Sequence, residues 1–321
     1  MEAEIDFNKG GTVTVPEGFF AGAAAAGIKE SAGDRLDLGL LYSQEPCVTA
    51  CLLTANSIKS APVLLCQERL KQGCRARAVV ANSGCANAST GDQGLADARE
   101  MAALAAKGIG IEAEDVFVAS TGVIGHLLPM DRIRDGLNGI SLSGDGGHEL
   151  TRAIMTTDTF PKETAVSVQD GDIKYTIGGA VKGSGMIHPN MGTMLCFLTT
   201  DASVDPPFLD TALRRAAGVS FNMVSIDGDT SPSDTMLIMA NGLAGNTPIL
   251  EGTGAAGVFQ QALDRVCIYL AKRMARDGEG ATRLIEVTVN GAVSQPDAAA
   301  AARTVVSSPL LKSAVYGCDP N

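Results

Sequence analysis

Short apolar runs bounded by Gly, Asn or Asp recur along this chain and alternate with segments of helical period. The runs "DLGLLYS" (37–43), "RARAVVANS" (75–83), "DVFVASTGVIG" (115–125), "DIKYTIGGAVKG" (172–183), "TMLCFLTTDA" (193–202), "DTMLIMANG" (234–242) and "LIEVTVNGAV" (284–293) are rich in Val, Ile, Leu or Met and predict strands. Between several of them lie helices. In 94–110, Leu95, Ala98, Met101, Ala102 and Ala105 recur at three-and-four spacing, with Gly108 placed to cap the C-terminus. In 252–280, Val258, Ala262, Val266, Tyr269 and Leu270 share one face, and the helix should stop near Gly278. Two shorter helical segments, 295–308 and 309–317, end the sequence. Helices mixed with many strands predict a layered α/β (α+β) domain, while periodicity leaves the strand directions open.

Composition narrows the class. A chain of 321 residues fits one large domain or two closely packed lobes. It is 45% hydrophobic but only 4% aromatic, without Trp, so the core must be built from Ala, Val, Leu, Ile and Met. The net charge of −11 argues against nucleic acid or an anionic membrane as partner. The N-terminal stretch "MEAEIDFNKGGTVTVPEGF" is acidic and lacks a long apolar run, unlike a secretion or transit signal. The run "AGAAAAGI" (21–28) is too short to span a bilayer, and a cytoplasmic location is expected. Cys47, Cys51, Cys66, Cys74, Cys85, Cys196, Cys267 and Cys318 form no C-x-x-C pair, and three histidines complete a poor ligand set. Free thiols are expected, and no metal site.

The candidate chemistry centres on "GGAVKGSG" (178–185) and on the Gly-Thr pair a few residues beyond it. A P-loop needs its lysine directly after the second glycine, but Lys182 precedes Gly183. A G-x-G-x-x-G match fails because His188 falls where the third glycine belongs. "DGDTSPSD" (227–234) has acidic spacing, yet counting from Asp227 the glycine is at position two and position twelve is Ile238, so an EF-hand fails and an Asx-type turn is expected. No G-x-S-x-G is present. Gly192-Thr193 remains. An internal threonine hydroxyl is a poor nucleophile without a base, but a threonine at a new N-terminus carries its own α-amine, with a pKa of about 8. Glycine before it lets the hydroxyl approach the scissile carbonyl. Taken alone, the pair fits a β-branched strand start better than a nucleophile.

A resemblance distinguishes the two. "KGSGMIHPNMGTML" (182–195) resembles the cleavage segment of the ornithine acetyltransferase family, the self-processing glutamate N-acetyltransferases of arginine biosynthesis. "NSGCANASTGDQG", "ASTGVIGHLLPMD", "AIMTTDTFPK", "SFNMVSIDGDTSPSDTMLIMANG" and "ARTVVSSPLLKSAVYGCDPN" are similar to its other blocks, in the family's order. The resemblance implies a layered αββα-type core, self-cleaved between Gly192 and Thr193 into chains 1–192 and 193–321, in an α2β2 assembly. It implies Thr193 as nucleophile, Thr121 and Gly122 as the oxyanion-stabilising pair, Lys182 beside the nucleophile, and Thr157, Lys182, Thr193 and Glu279 as substrate contacts, with the register between Thr156 and Thr157 open. The implied reaction moves acetyl from N2-acetylornithine to glutamate without metal or cofactor; some members also take acetyl-CoA as donor. The alternatives are a related self-cleaving amidohydrolase or aminopeptidase, and an acyltransferase with another acceptor in a secondary pathway. Two departures stand out. Gly192 replaces the family's usual alanine, and the family's Trp-Gly-Arg stretch and C-terminal tail do not follow Asn321. Without that tail, self-cleavage is expected to persist while acetyl transfer weakens.

Overall fold

The computed structural model describes residues 3–29, 35–73, 75–188 and 194–320. In chain order the elements are β1 (Glu4–Asn8), β2 (Phe19–Ala24), β3 (Leu38–Leu53), α1 (Ala61–Gly73), β4 (Arg75–Cys85), α2 (Gly91–Ile109), β5 (Val116–Val123), α3 (Met130–Asn138), α4 (Gly147–Ile154), β6 (Lys162–Asp170), β7 (Ile173–Lys182), β8 (Leu195–Thr200), α5 (Pro206–Val219), β9 (Thr235–Ala240), α6 (Gly254–Arg276), α7 (Gln295–Val306) and α8 (Pro309–Tyr316). The strands join in the order β1-β6-β7-β8-β9-β3-β4-β5, with β2 also on β3. Pairing is antiparallel except for β8 with β9 and β4 with β5.

Side-chain alternation turns this sheet into four layers. In β8, Cys196 and Leu198 point outward to Phe208, Leu209 and Leu213 of α5 and Phe259, Leu263 and Val266 of α6. Leu195 and Phe197 point the other way, as do Leu237 and Met239 of β9. They meet Leu41 of β3, Val79 and Ala81 of β4, and Phe117 and Ala119 of β5 in an inner core. The opposite faces of β4 and β5, carrying Ala78, Val80, Val116 and Val118, pack against Ala98, Met101, Ala102 and Ala105 of α2 and Ile133 of α3. The result is the αββα arrangement, with each of these central strands burying both faces. The sixteen-residue β3 connects the two sheet layers. Its first half pairs with β2 and β4; after a register shift between Tyr42 and Cys47 the pairing with β4 continues through Cys47 and Val48, and Val48–Leu53 pair with β9.

Several elements differ from the sequence pattern. Residues 284–293, expected as a strand, have no strand partner among the described residues, with Leu284 38% and Val293 100% exposed. Alternating apolarity marks a residue's fitness for a sheet face, but a strand also needs a neighbouring backbone. Conversely β1, β2, β6 and the second half of β3 escaped prediction, as did α1, α3, α4 and α5. β6 reads "KETAVSVQD", polar at its start and end, and β2 is made largely of small residues. Gly108 lies inside α2. The cap is Gly110, in the left-handed region at φ 73°, where its N–H bonds Ala106 O. α6 stops at Arg276 with Asp277 as its cap, one residue before Gly278. Cys47, Cys66, Cys85, Cys196 and Cys267 are buried free thiols and Cys318 is an exposed one, whereas Cys74 lies outside the described residues. No described helix is long and apolar enough to cross a membrane.

Candidate active site

The loop that leaves β7 gathers the site. Lys182 is the last residue of that strand, in register with Leu195 of β8, and is only 2% exposed. Its Nζ donates to Thr121 Oγ1 at 3.1 Å, joining positions 61 residues apart. Thr121 stands near the end of β5, followed by Gly122 at φ 130°. A Cβ on Gly122 would lie 2.4 Å from the Gly84 carbonyl carbon, so the irregular end of the β4–β5 ladder admits only glycine here. The next residue after the lysine, Gly183, donates its N–H to Asp158 Oδ1 at 2.7 Å. Ser184 shares a hydroxyl–hydroxyl bond of 2.6 Å with Thr157 Oγ1, and its carbonyl accepts from Glu279 N at 2.8 Å. Gly185 leaves room for the Glu279 carboxylate, whose Oε1 would be 2.4 Å from any Cβ there. Thus Lys-Gly-Ser-Gly draws Thr121, Thr157 and Glu279 together from three distant segments. Gly122 adjoins them through Thr121. Of the adjacent threonines, Thr157 turns its hydroxyl to Ser184, while the backbone N–H of Thr156 bonds Asp158 Oδ2.

Gly192 and Thr193, the expected cleavage pair, lie outside the described residues. The chain is described again from Met194. Its N–H donates to Asp234 Oδ1 at 3.0 Å and its carbonyl accepts from Thr235 N at 3.0 Å. On the near side of the gap, Met186 sits at φ 58° and Asp227 accepts the N–H groups of both Met186 and Ile187. Asp227 Oδ1 also accepts from Asp229 N at 3.1 Å, which is the expected Asx turn in 227–234.

The charges are buried and mutually dependent. Lys162 Nζ bridges Asp158 Oδ1 and Asp277 Oδ2, both at 2.6 Å, with the three side chains almost wholly buried. Burial pulls the Asp158 carboxyl up, but the Lys182 and Lys162 cations outweigh it and hold the group below the ordinary carboxylate range. Burial lowers the Lys182 ammonium. Asp158 pulls it back, Lys162 pushes it further down, and Asp234 and Glu279 pull it up. Lys29 feels both Asp158 and Lys182, and burial brings its ammonium down to about 8. Asp158, Lys162, Ser184, Asp234 and Asp277 were missed by sequence reasoning. The only signal was the spacing of Asp158 and Lys162 in "TTDTFPK", which reads as a surface pair unless the segment is known to be buried. Chemically, the site offers a hydroxyl backed by a buried cation, next to a glycine backbone and facing a carboxylate. Those are donors for a developing oxyanion and partners for a zwitterionic amino acid.

The sequence profile of the ArgJ family matches residues 20–321. The arginine biosynthesis bifunctional protein ArgJ of Dehalococcoides mccartyi is 51% identical over 321 residues, covering 100% of this chain and 79% of that protein. Among solved structures, ArgJ from Bacillus halodurans superposes with a TM-score of 0.56 at 38% identity, over 61% of this chain and 100% of its own. Ornithine acetyltransferase from Mycobacterium tuberculosis, complexed with ornithine, does so with a TM-score of 0.53 at 37% identity, over 60% and 100%. An αββα core, a glycine-lined lysine loop and matches of this extent together mean that the chain belongs to the ArgJ family, the bifunctional enzymes of arginine biosynthesis.

Proposed function

We propose that this enzyme cuts itself between Gly192 and Thr193 and then transfers acetyl from N2-acetylornithine to glutamate through an acetyl-Thr193 ester. The observation that carries the reading is the contact of Lys182 Nζ with Thr121 Oγ1, with Glu279 brought to the same loop through Ser184. The Thr193 α-amine takes the proton of its own hydroxyl as the hydroxyl attacks the acetyl carbonyl carbon. Thr121 Oγ1 and the Gly122 N–H stabilise the oxyanion. The α-ammonium so formed gives that proton to the amide nitrogen as its C–N bond breaks and ornithine leaves; the amine of glutamate then attacks the ester, its proton passing through the same α-amine to the departing Thr193 oxygen, so that N-acetylglutamate and the free hydroxyl are formed. Thr157, Lys182 and Glu279 hold the amino acid, with the cation of Lys182 meeting a carboxylate and the Glu279 carboxylate meeting an ammonium group.

The matched lengths support the cut. The two solved chains are covered completely by 61% and 60% of this chain, the share that residues 1–192 make up of 321. We further propose an α2β2 assembly in the cytoplasm, working without metal or cofactor. Acetyl-CoA is to be tested as a second donor. Incubation with N2-acetylornithine followed by intact-mass measurement should show the 193–321 chain carrying one added acetyl group. A cleaved chain that never carries acetyl would overturn the transfer step.

The two donors of the site should separate kinetically. Thr121→Ala should lower kcat by about 10²–10³-fold with little change in KM, because an oxyanion donor acts in the transition state. Lys182→Ala should raise KM as well, since its charge is present before any bond changes. Equal KM effects with unchanged kcat in both variants would refute this division of roles.

A further inference from the structure

A threonine hydroxyl can meet a substrate as donor or as acceptor, and its neighbours decide which. Thr157 sits in a loop that is pinned on both sides. The N–H groups of Thr156 and Gly183 go to the two oxygens of Asp158, and the N–H of Thr159 goes to Asp277 Oδ2 at 2.9 Å. The Gly183 bond, at 2.7 Å, lays the lysine loop alongside this segment, and the next residue, Ser184, brings its hydroxyl to 2.6 Å from Thr157 Oγ1. The two hydroxyls are not equivalent. Ser184 is 1% exposed, and its Oγ makes no other hydrogen bond among the described residues. Thr157 is exposed. A buried O–H needs an acceptor, because leaving it unpaired costs the desolvation of the group. Thr157 Oγ1 is the acceptor within reach, so Ser184 donates and Thr157 accepts. Thr157 then keeps its own proton for an acceptor on its open side.

Resting on the reading of Thr157 as a substrate contact, we infer that Ser184 is a positioning residue that makes Thr157 a hydrogen-bond donor to an oxygen of the amino-acid substrate. A donor suits a carboxylate or amide oxygen and not an ammonium group. The site then divides by chemistry. The Lys182 cation and the Thr157 hydroxyl face substrate oxygens, and the Glu279 carboxylate faces the ammonium. Ser184 stands between the two parts. Its hydroxyl orients Thr157, while its carbonyl accepts Glu279 N at 2.8 Å. Only the first of these contacts belongs to the side chain, so alanine at 184 removes it and leaves the backbone bond to Glu279 in place. Ser184 makes and breaks no covalent bond, and its effect is on binding.

Two measurements test this: steady-state kinetics with N2-acetylornithine and glutamate, and urea unfolding in the Thr193→Ala background, where every variant is one chain. Ser184→Ala should raise KM for N2-acetylornithine about 10-fold, the worth of roughly one hydrogen bond, with kcat nearly unchanged. Thr157→Val should raise it at least as much. Ser184→Ala added to Thr157→Val should raise it no further, because Ser184 acts through Thr157, whereas a merely structural serine would add its own loss. Unfolding reads the direction of the bond without turnover. Thr157→Val strands the buried Ser184 O–H and should lower the urea midpoint. Ser184→Ala frees an exposed hydroxyl to turn to water and should scarcely move it, and the double variant should recover the midpoint. A midpoint that falls as far in Ser184→Ala as in Thr157→Val would overturn the proposal, and so would a wild-type KM in Ser184→Ala or a fully additive rise in the double variant. Thr157→Val with a wild-type KM defeats the substrate contact itself, and the proposal with it. A wild type that transfers no acetyl defeats the proposed function, while the midpoints still decide which hydroxyl donates. Should a variant fail to cut itself, the unfolding comparison decides alone.

Discussion

Purified wild-type protein should run as two chains on a denaturing gel, 1–192 and 193–321, with no protease added, and Thr193→Ala should run as one. The variant should also lose acetyl transfer, on the order of 10⁶-fold if removal of a covalent nucleophile acts here as it does elsewhere. Thr193→Ser, which keeps a hydroxyl, should still cut. The two products should nevertheless elute together under native conditions, for a topological reason. In the sheet order β7-β8-β9-β3, the two strands after the cut lie between two strands before it. β8 pairs antiparallel with β7 from Leu195 to Thr200, and β9 pairs antiparallel with β3 from Thr235 to Ala240. Breaking one peptide bond leaves both ladders intact. Phe197 and Leu237, in the inner core with Phe117, also stay buried. Separation therefore requires unfolding. A wild-type protein that is folded yet remains a single chain would remove the basis for Thr193 as an N-terminal nucleophile.

How much of this was legible in the sequence depended on what each residue answers to. β4, β5, β7, β8 and β9 were visible because their central residues are buried on both faces, giving largely unbroken apolar runs. β6 was not visible, because Lys162 at its start is buried only by virtue of two carboxylates, one of them 115 residues away. Residues 284–293 carried a strand pattern without a strand neighbour. The αββα layering came from the resemblance, since alternation alone does not say which strands pair. In the site, the glycine-rich loop around Lys182 was legible as unusual, and every phosphate-loop template correctly failed on it. Its link to Thr121 could not be read locally, because the contact spans β5 to β7 through the fold. Asp234 was counted as one more acidic residue of a turn. Its place in the site rests on the hydrogen bond from Met194 N, which leaves no mark on spacing.

Lys162→Met should be among the most destabilising single changes in the protein. The lysine side chain is fully buried and bonds Asp158 and Asp277, themselves buried, while Thr159 adds two bonds to Asp277. Methionine approximates its volume but leaves carboxylates with less compensation in a dry interior. Breaking such a network from one side costs about 3–5 kcal/mol, more than the net worth of the intact pairs, because the remaining charges stay buried. The midpoint of urea unfolding should fall accordingly with an unchanged slope. The pH dependence has a definite sign. Asp158 is held below its ordinary value in the folded wild type, so its stabilisation is present above that value, about 4, and is lost as pH falls through the depressed one. In the variant one of the two cations responsible is gone, so acid costs it less. The gap between variant and wild type should be widest near neutrality and should narrow below about pH 4. Activity should suffer through position as well as stability. Asp158 holds Gly183 N at 2.7 Å, and Asp277 stands two residues before Glu279. Loosening both should raise KM for N2-acetylornithine more than it lowers kcat. An unchanged urea midpoint would mean that the triad contributes nothing to stability, and an unchanged KM would mean that it does not position Glu279.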